Sequence, residues 1–288
     1  MNGQLRDKLK NRSFVVTVEV EPPKGSNPWG VYEKMKVLKH LVDAVNIADS
    51  PMAKMRMSPI ALAHLVQNEL KVETIFHLTC RDRNILGLQS ELLGAYALGV
   101  KNILTLTGDD PANGDHPGAT GIFDVNSMGL IKMVKTLNNG QDLMANKLDE
   151  KTDFLVGAVA NPTAENIADE LEKINCRIEA GVDFFQTQPI FDLKQLERFM
   201  KVFSHPPVPM IYGLMPLNSV RLANYLNQNV PGVHVPDHII DKLQLKGRTG
   251  GIEIAKELFS EMQKLVPGIH IFPMGDFQLV EVLLERYR

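Results

Sequence analysis

Carboxylate, imidazole and amide side chains recur in this sequence where runs of β-forming residues give out. The first such run, SFVVTVEV at residues 13–20, carries Glu19 within it and Glu21 just beyond. Later runs end in Asn46 and Asp49, in His77, Thr79 and Arg81, in Thr107, Gly108, Asp109 and Asp110, in Asn161, and in Gln188. A carboxylate on an apolar strand is costly to bury alone, which makes Glu19 a candidate acid or base. Burial would raise its pKa and suit it to giving up a proton. A strand end open to water would leave it a solvated carboxylate. Asp109 also has two readings, because Thr107-Gly108-Asp109-Asp110-Pro111 is a plain turn sequence as well as a place for fixed negative charge. His77 reads equally as a hydrogen-bonded core histidine, and Arg81 as a surface charge.

Such groups act together if a scaffold gathers the strand ends. Residues 13–20, 42–47, 73–77, 101–107, 153–159, 183–187, 208–214 and 269–272 predict eight strands. Apolar residues at helical spacing predict helices over 28–41, 58–70, 84–98, about 123–138, 163–179, 192–203, from 219, up to 265 with an interruption near 247–250, and over 276–287. Ser58-Pro59 opens one helix as N-cap and first turn, and Ala180-Gly181 closes another. The polar stretch 139–152 reads as a surface excursion. Helices between strands demand parallel crossovers. Eight such units match a closed (β/α)8 TIM barrel as one domain over 1–288. The alternative is an open doubly wound sheet, but no GxGxxG turn follows the first strand. In a barrel the polar groups converge at the carboxyl ends of the strands, and the amino ends look ordinary.

Composition narrows the function classes. Hydrophobic residues at 44% and charged residues at 23% describe a globular chain, and a net charge of −3 argues against nucleic acid or an anionic membrane as partner. The two cysteines, Cys80 and Cys176, stand in no metal-ligand spacing, so no metal site is expected. Few cysteines and a start without the apolar core of a signal peptide lead to an expected cytoplasmic location. No apolar run is long enough to span a membrane.

Five segments together carry a resemblance. They are Glu19-Val20-Glu21-Pro22-Pro23, His77-Leu78-Thr79-Cys80-Arg81-Asp82, Leu106-Thr107-Gly108-Asp109-Asp110-Pro111, Glu179-Ala180-Gly181-Val182-Asp183-Phe184 running to Thr187-Gln188-Pro189, and Gly213-Leu214-Met215-Pro216-Leu217. Each is modestly specific, but in this order across nearly the whole chain the sequence resembles the methylenetetrahydrofolate reductase family, in the short bacterial form made of the catalytic barrel alone. The resemblance implies a cytoplasmic flavin-dependent oxidoreductase of one-carbon metabolism. It would reduce 5,10-methylenetetrahydrofolate to 5-methyltetrahydrofolate by hydride transfer from N5 of a reduced flavin. FAD is the implied cofactor, with FMN the alternative, and NAD(P)H or a protein electron donor is the implied reductant.

By the same resemblance, Glu19 would help protonate folate N10, and Asp109 would lie near flavin and folate and stabilise the cation formed when the methylene bridge opens. Gln188 would hydrogen-bond the pterin, with Val220 beside the substrate. Asn46, His77, Thr107, Gly108, Asp109, Asn161, Glu170 and Arg177 would border the flavin, the last two near its phosphate and ribose. Departures are present: Asn46 stands for a Thr, Asn161 for a His, Gly157 for a Tyr, Arg177 for a Lys, Glu170 for an Asp and Val220 for an aromatic residue. These changes keep FMN and an iron–sulfur partner subunit open; a homo-oligomer is open independently of them. The competing readings are a pterin-binding methyltransferase barrel, a flavin-containing subunit of a larger redox complex, and a non-catalytic subunit.

Overall fold

The computed structural model describes residues 4–203, 206–230 and 232–285. Eight strands follow in chain order: β1 (Val15–Val20), β2 (Ala44–Ile47), β3 (Glu73–Thr79), β4 (Asn102–Leu106), β5 (Leu155–Ala160), β6 (Phe184–Ile190), β7 (Met210–Leu214) and β8 (Gly268–Ile271). Each pairs in parallel with the next, and β8 returns to β1 through Thr17 opposite His270, closing a (β/α)8 barrel. Among the described residues, ten α-helices accompany them: α1 (Gln4–Lys10), α2 (Trp29–Met35), α3 (Pro59–Leu70), α4 (Ile85–Ala97), α5 (Ser127–Asn138), α6 (Ile167–Glu179), α7 (Leu193–Val202), α8 (Val220–Asn229), α9 (Asp237–Leu265) and α10 (Phe277–Leu284). Among the described residues no helix is long and apolar enough to cross a membrane.

Alternation along each strand divides the core. Val16, Val18, Val20, Val45, Ile47, Phe76 and Leu78 face outward and pack with the helices. Their neighbours Val15, Ala44, Ile75, Leu104, Leu155, Phe184 and Ile211 fill the amino-terminal half of the barrel interior, together with Leu5 and Leu9 of α1. Strands buried on both faces are apolar along their length, which is why they stand out in the sequence. At the upper ends, asparagine, aspartate and serine start the helices. Asn84, Asn126, Asn166, Asp192, Ser219 and Asp276 each accept a bond from the first turn of the helix that follows. Ser58 precedes α3 but its side chain makes no such bond.

Three expectations are corrected. The amino-terminal end of the barrel is not ordinary. Helix α1, absent from the sequence reading, plugs it, and the buried carboxylate of Glu73 accepts the backbone N–H groups of Gln4 (2.7 Å) and Leu5 (3.3 Å). Strand β6 does not stop before Gln188. It continues through Pro189 to Ile190, with a register shift against β7 between Gln186 and Pro189, because a bulge accommodates a proline within a sheet. The helix expected over 28–41 shortens to α2 and a single 3-10 turn, Lys36–Leu38. The interruption near 247–250 falls at Gly247, where α9 breaks. Residues 286–287 of the last expected helix lie outside the described residues, as does Pro231. The 139–152 excursion contains one antiparallel bridge, Gln141 to Lys147.

Candidate active site

Two residues beyond the apolar layer, the barrel interior turns polar. Thr17 follows Val15, Asn46 follows Ala44, His77 follows Ile75, Gln186 follows Phe184, and His270 follows Gly268. All five side chains are buried. Asn46 and Gln186 form a reciprocal amide pair: Asn46 Nδ2 donates to Gln186 Oε1 (2.6 Å) and Gln186 Nε2 to Asn46 Oδ1 (3.1 Å). Asn46 Nδ2 also donates to His77 Nε2 (3.0 Å), so the imidazole proton of His77 sits on Nδ1. Gln186 Nε2 donates to Thr17 Oγ1 (3.1 Å), and Thr17 in turn donates to His270 Nδ1 (2.8 Å). That leaves Nε2 of His270 to carry the imidazole proton, 3.9 Å from Glu19 Oε2. Among the described residues no buried side-chain nitrogen or oxygen lacks a hydrogen-bond partner. Such a network is stable only when complete.

Glu19 stands where this network meets the mouth. Its side chain keeps 26% of its exposure and borders a cavity of about 230 Å3 shared with Glu21, Lys34, Phe272 and Met274. The raised pKa expected for Glu19 is not what its surroundings produce. Burial does push the Glu19 carboxyl up, but the imidazoles of His270, 3.9 Å away, and of His77 outweigh it and hold the group below the usual glutamate value. Glu19 is therefore a carboxylate at neutral pH in the ligand-free protein. Burial, partly offset by the charge of Glu19, pushes His77 down to about 4, so it is neutral there.

The β2 and β3 ends are tied by Asp49, which accepts from the Thr79 backbone and hydroxyl (2.9 Å each) and from Arg83 (2.8 Å). Arg81 is buried, holds Asp82 with two 2.7 Å bonds and donates to the Ser50 carbonyl, so this pair braces the loop. Gly108 turns at φ +95°, and a Cβ there would lie 2.9 Å from that of Arg81, so the turn presenting Asp109 tolerates no side chain at 108. Asp109 itself is exposed. The Cys80 thiol is buried and pushed up to about 12, which removes it as a nucleophile.

A second group of expected residues gathers at β4, β5 and α6. Thr107 and Arg177 border a cavity of about 490 Å3 with Ser127 at the start of α5 and Asp169, Lys173 and Cys176 of α6. Arg177 donates to the Val159 carbonyl (3.1 Å). Glu170 turns away from this cavity: it is buried, accepts the Asn161 backbone N–H (2.9 Å) and lies 3.8 Å from Arg177. Asn161 accepts from Thr163, whose hydroxyl reaches the Gly232 carbonyl. The ring of Phe184 fills the space a side chain at Gly157 would take, 2.4 Å from where its Cβ would lie. A larger cavity of about 560 Å3, beside Arg198, Asn227 and His234, holds none of the expected residues.

Gln188 is half-buried on the bulged part of β6. Val220 opens α8 and packs with Leu217, Ala223 and Leu226. The structure thus brings Glu19, Asn46 and His77 into one linked cluster and Thr107 and Arg177 into the wall of a second cavity, with Gly108 and Asp109 on the turn beside Arg81. It engages Asn46 and Glu170 in internal bonds. Sequence reasoning missed Thr17, Gln186 and His270. The available signal was a polar residue inside an apolar strand at inward parity, the pattern that singled out Glu19.

Residues 4–287 match the family profile of methylenetetrahydrofolate reductase. Methylenetetrahydrofolate reductase 1 of Schizosaccharomyces pombe is 24% identical over 242 residues, 78% of this chain, which spans 37% of that protein's length. The 5,10-methylenetetrahydrofolate reductase of Buchnera aphidicola is 22% identical over 268 residues, 85% of this chain and 83% of that protein. A Clostridium thermocellum protein whose structure is described as binding two copies of 5-methyl-5,6,7,8-tetrahydrofolic acid superposes with a TM-score of 0.66. That likeness covers 98% of this chain and 99% of the other at 17% identity, and is one of fold.

Proposed function

The chain belongs to the methylenetetrahydrofolate reductase family, and we propose that it acts as one flavin-binding catalytic barrel that reduces 5,10-methylenetetrahydrofolate to 5-methyltetrahydrofolate. The observation that carries the reading is Glu19, a carboxylate set between a completed polar network and an open cavity. It is fixed in place yet within reach of a ligand. In this reading Glu19 delivers a proton to N10 of the folate, which lets the methylene bridge open toward N5. Because Glu19 is ionised in the resting protein, it takes up that proton from solvent as a ligand fills the mouth and displaces water, which favours the neutral acid. Asp109, presented on its glycine turn, stabilises the cation at N5. Gln188 offers the pterin edge a donor and an acceptor together. The folate-binding Clostridium thermocellum neighbour adds support for a folate at this mouth.

The residues present fit a flavin. The cavity between α5 and α6 is lined by Lys173 and Arg177 and the amino terminus of α5, with the carboxylates of Asp169 and Glu172 also on its wall, so its basic groups and helix start can meet a cofactor's phosphate and its carboxylates the ribose hydroxyls. Thr107 lines this cavity, and in this reading His77, Gly108 and Asn161 meet the flavin from the ends of β3, β4 and β5, while Asn46 and Glu170 act behind the site by holding His77 and Arg177. When bound, the flavin supplies the hydride that the folate receives. FAD is the first choice and FMN the second. Val220, packed into the α8 cluster, presents no aromatic face to a nicotinamide. This favours a protein donor, such as an iron–sulfur partner, over free NAD(P)H. A visible spectrum of the purified protein, then anaerobic titration with NADH, NADPH and a reduced iron–sulfur protein, and then addition of the folate, tests the reading. A flavin spectrum bleached by a donor and restored by 5,10-methylenetetrahydrofolate is expected. A colourless protein that takes up neither FAD nor FMN sinks it.

A further inference from the structure

The polar network has a direction, and its end points at Glu19. The amide pair of Asn46 and Gln186 fixes which way Thr17 donates, Thr17 fixes Nδ1 of His270 as an acceptor, and the remaining N–H of His270 lies on the side of the carboxylate. His270 is 2% exposed and wedged edge-on against Phe272, with ring centroids 4.5 Å apart, so the imidazole has no freedom to turn away. We propose that His270 is a positioning residue for Glu19: Thr17 and Gln186 hold its Nε2–H toward the carboxylate, which orients Glu19 at the mouth and governs when it carries a proton. The catalytic part of this inference rests on the proposed role of Glu19; the contact itself does not.

Among the described residues, His270 is the one imidazole or basic side chain within 4.0 Å of the Glu19 carboxylate. Strand β2 offers the neutral Asn46 beside Glu19. Strand β3 offers His77, whose own surroundings include Asp49. The cavity side offers Glu21, paired with Arg56 at 3.2 Å, and Lys34 of α2. Both His77 and His270 hold the Glu19 carboxyl down, and His270 is the one whose ring nitrogen lies 3.9 Å from it. Removing the imidazole leaves burial less opposed, so Glu19 must titrate at higher pH.

The test uses the full chain carrying glutamate labelled with 13C at Cδ. The Glu19 carboxyl signal is the one lost in Glu19→Gln, and its titration midpoint is read in wild type, His270→Ala and His270→Gln. The glutamine variant keeps a donor near Nε2 and serves if His270→Ala does not fold. Both variants are expected to raise the midpoint, alanine more than glutamine. In the flavin-loaded protein, His270→Ala is expected to slow folate reduction about tenfold or more. The decline of the rate at high pH should move upward, while flavin reduction by the donor is unchanged. An unmoved midpoint in a folded variant overturns the positioning role, whatever the activity. Wild-type folate turnover in Glu19→Gln instead overturns the proposed role of Glu19, while the midpoint still decides the contact.

Discussion

The two halves of the barrel interior lie two residues apart along the same strands and follow opposite rules. The amino-terminal half is filled by Val15, Ala44, Ile75, Leu104, Leu155, Phe184 and Ile211 and sealed by Leu5 and Leu9. It is held by burial, and any apolar group of the right volume would serve. The carboxyl-terminal half is Thr17, Asn46, His77, Gln186 and His270, whose side chains bond one another through specific donors and acceptors. Replacing one member there leaves others unsatisfied, so the layer is as fixed as the core without being apolar. The contrast shows how a barrel keeps a carboxylate at its mouth: an apolar floor provides stability, and a directional layer above it sets the orientation and charge of Glu19.

The largest expected effect comes from the top of the polar half. Glu19→Gln should lower the folate half-reaction by about 10²–10⁴-fold while leaving flavin reduction intact, as read by stopped-flow absorbance. Next, Phe184→Ala in the apolar half should cost about 3–5 kcal/mol in urea unfolding. It should leave the pH profile of the folate step unchanged, and a displaced profile would break the division between the halves. The third effect tests the polar layer through pH. His77 titrates at about 4 when folded against 6.5 when free. Its neutral, buried form contributes stability that is full above pH 6.5 and is lost as pH falls toward 4, where the unfolded chain binds the extra proton. The loss is about 3 kcal/mol. Unfolding free energies at pH 7 and pH 4 should show that loss in wild type and a smaller one in His77→Gln; equal losses would place the acid sensitivity elsewhere. The smallest effect belongs to Thr17→Val, which keeps shape but removes the hydroxyl between Gln186 and His270. About 1–2 kcal/mol of destabilisation is expected by thermal unfolding. A variant as stable as wild type would mean that the layer tolerates gaps.

The barrel was legible in the sequence because its physics is local. Strands buried on both faces must be apolar and β-rich, so all eight appear as runs such as Val15–Val20 and Met210–Leu214, and the helices between them carry their own caps. The site was legible where a polar residue breaks such a run at its end, as with Glu19, His77 and Asp109. What escaped depends on closure. His270 and Gln186 look like stray polar residues until β8 meets β1 and β6 curves round, and the bond from Thr17 to His270 joins residues 253 apart. The same distance explains the wrong direction for the Glu19 pKa: burial follows from the strand itself, whereas the opposing imidazole arrives from the other end of the chain. Helix α1 escaped because seven residues with Leu5 and Leu9 facing one way make little pattern, and what makes it a plug is Glu73 at the foot of β3. The inward turn of Glu170 escaped because a helix face alone does not reveal the Asn161 backbone behind it.

Closure of the ring also sets a schedule. Strand β1 leaves the ribosome early, but its second neighbour, β8, is made more than 240 residues later. Until then β1 has an unpaired edge on that side, and Thr17 and Glu19 face a gap where His270 will stand. Contacts this distant in sequence form late and slow the search for the native state. The residues read here as preparing the proton are therefore among the last to be assembled. A nascent or truncated chain ending before β8 would lack a stave of its wall and the histidine beside Glu19 at once, so it would have no partly working form.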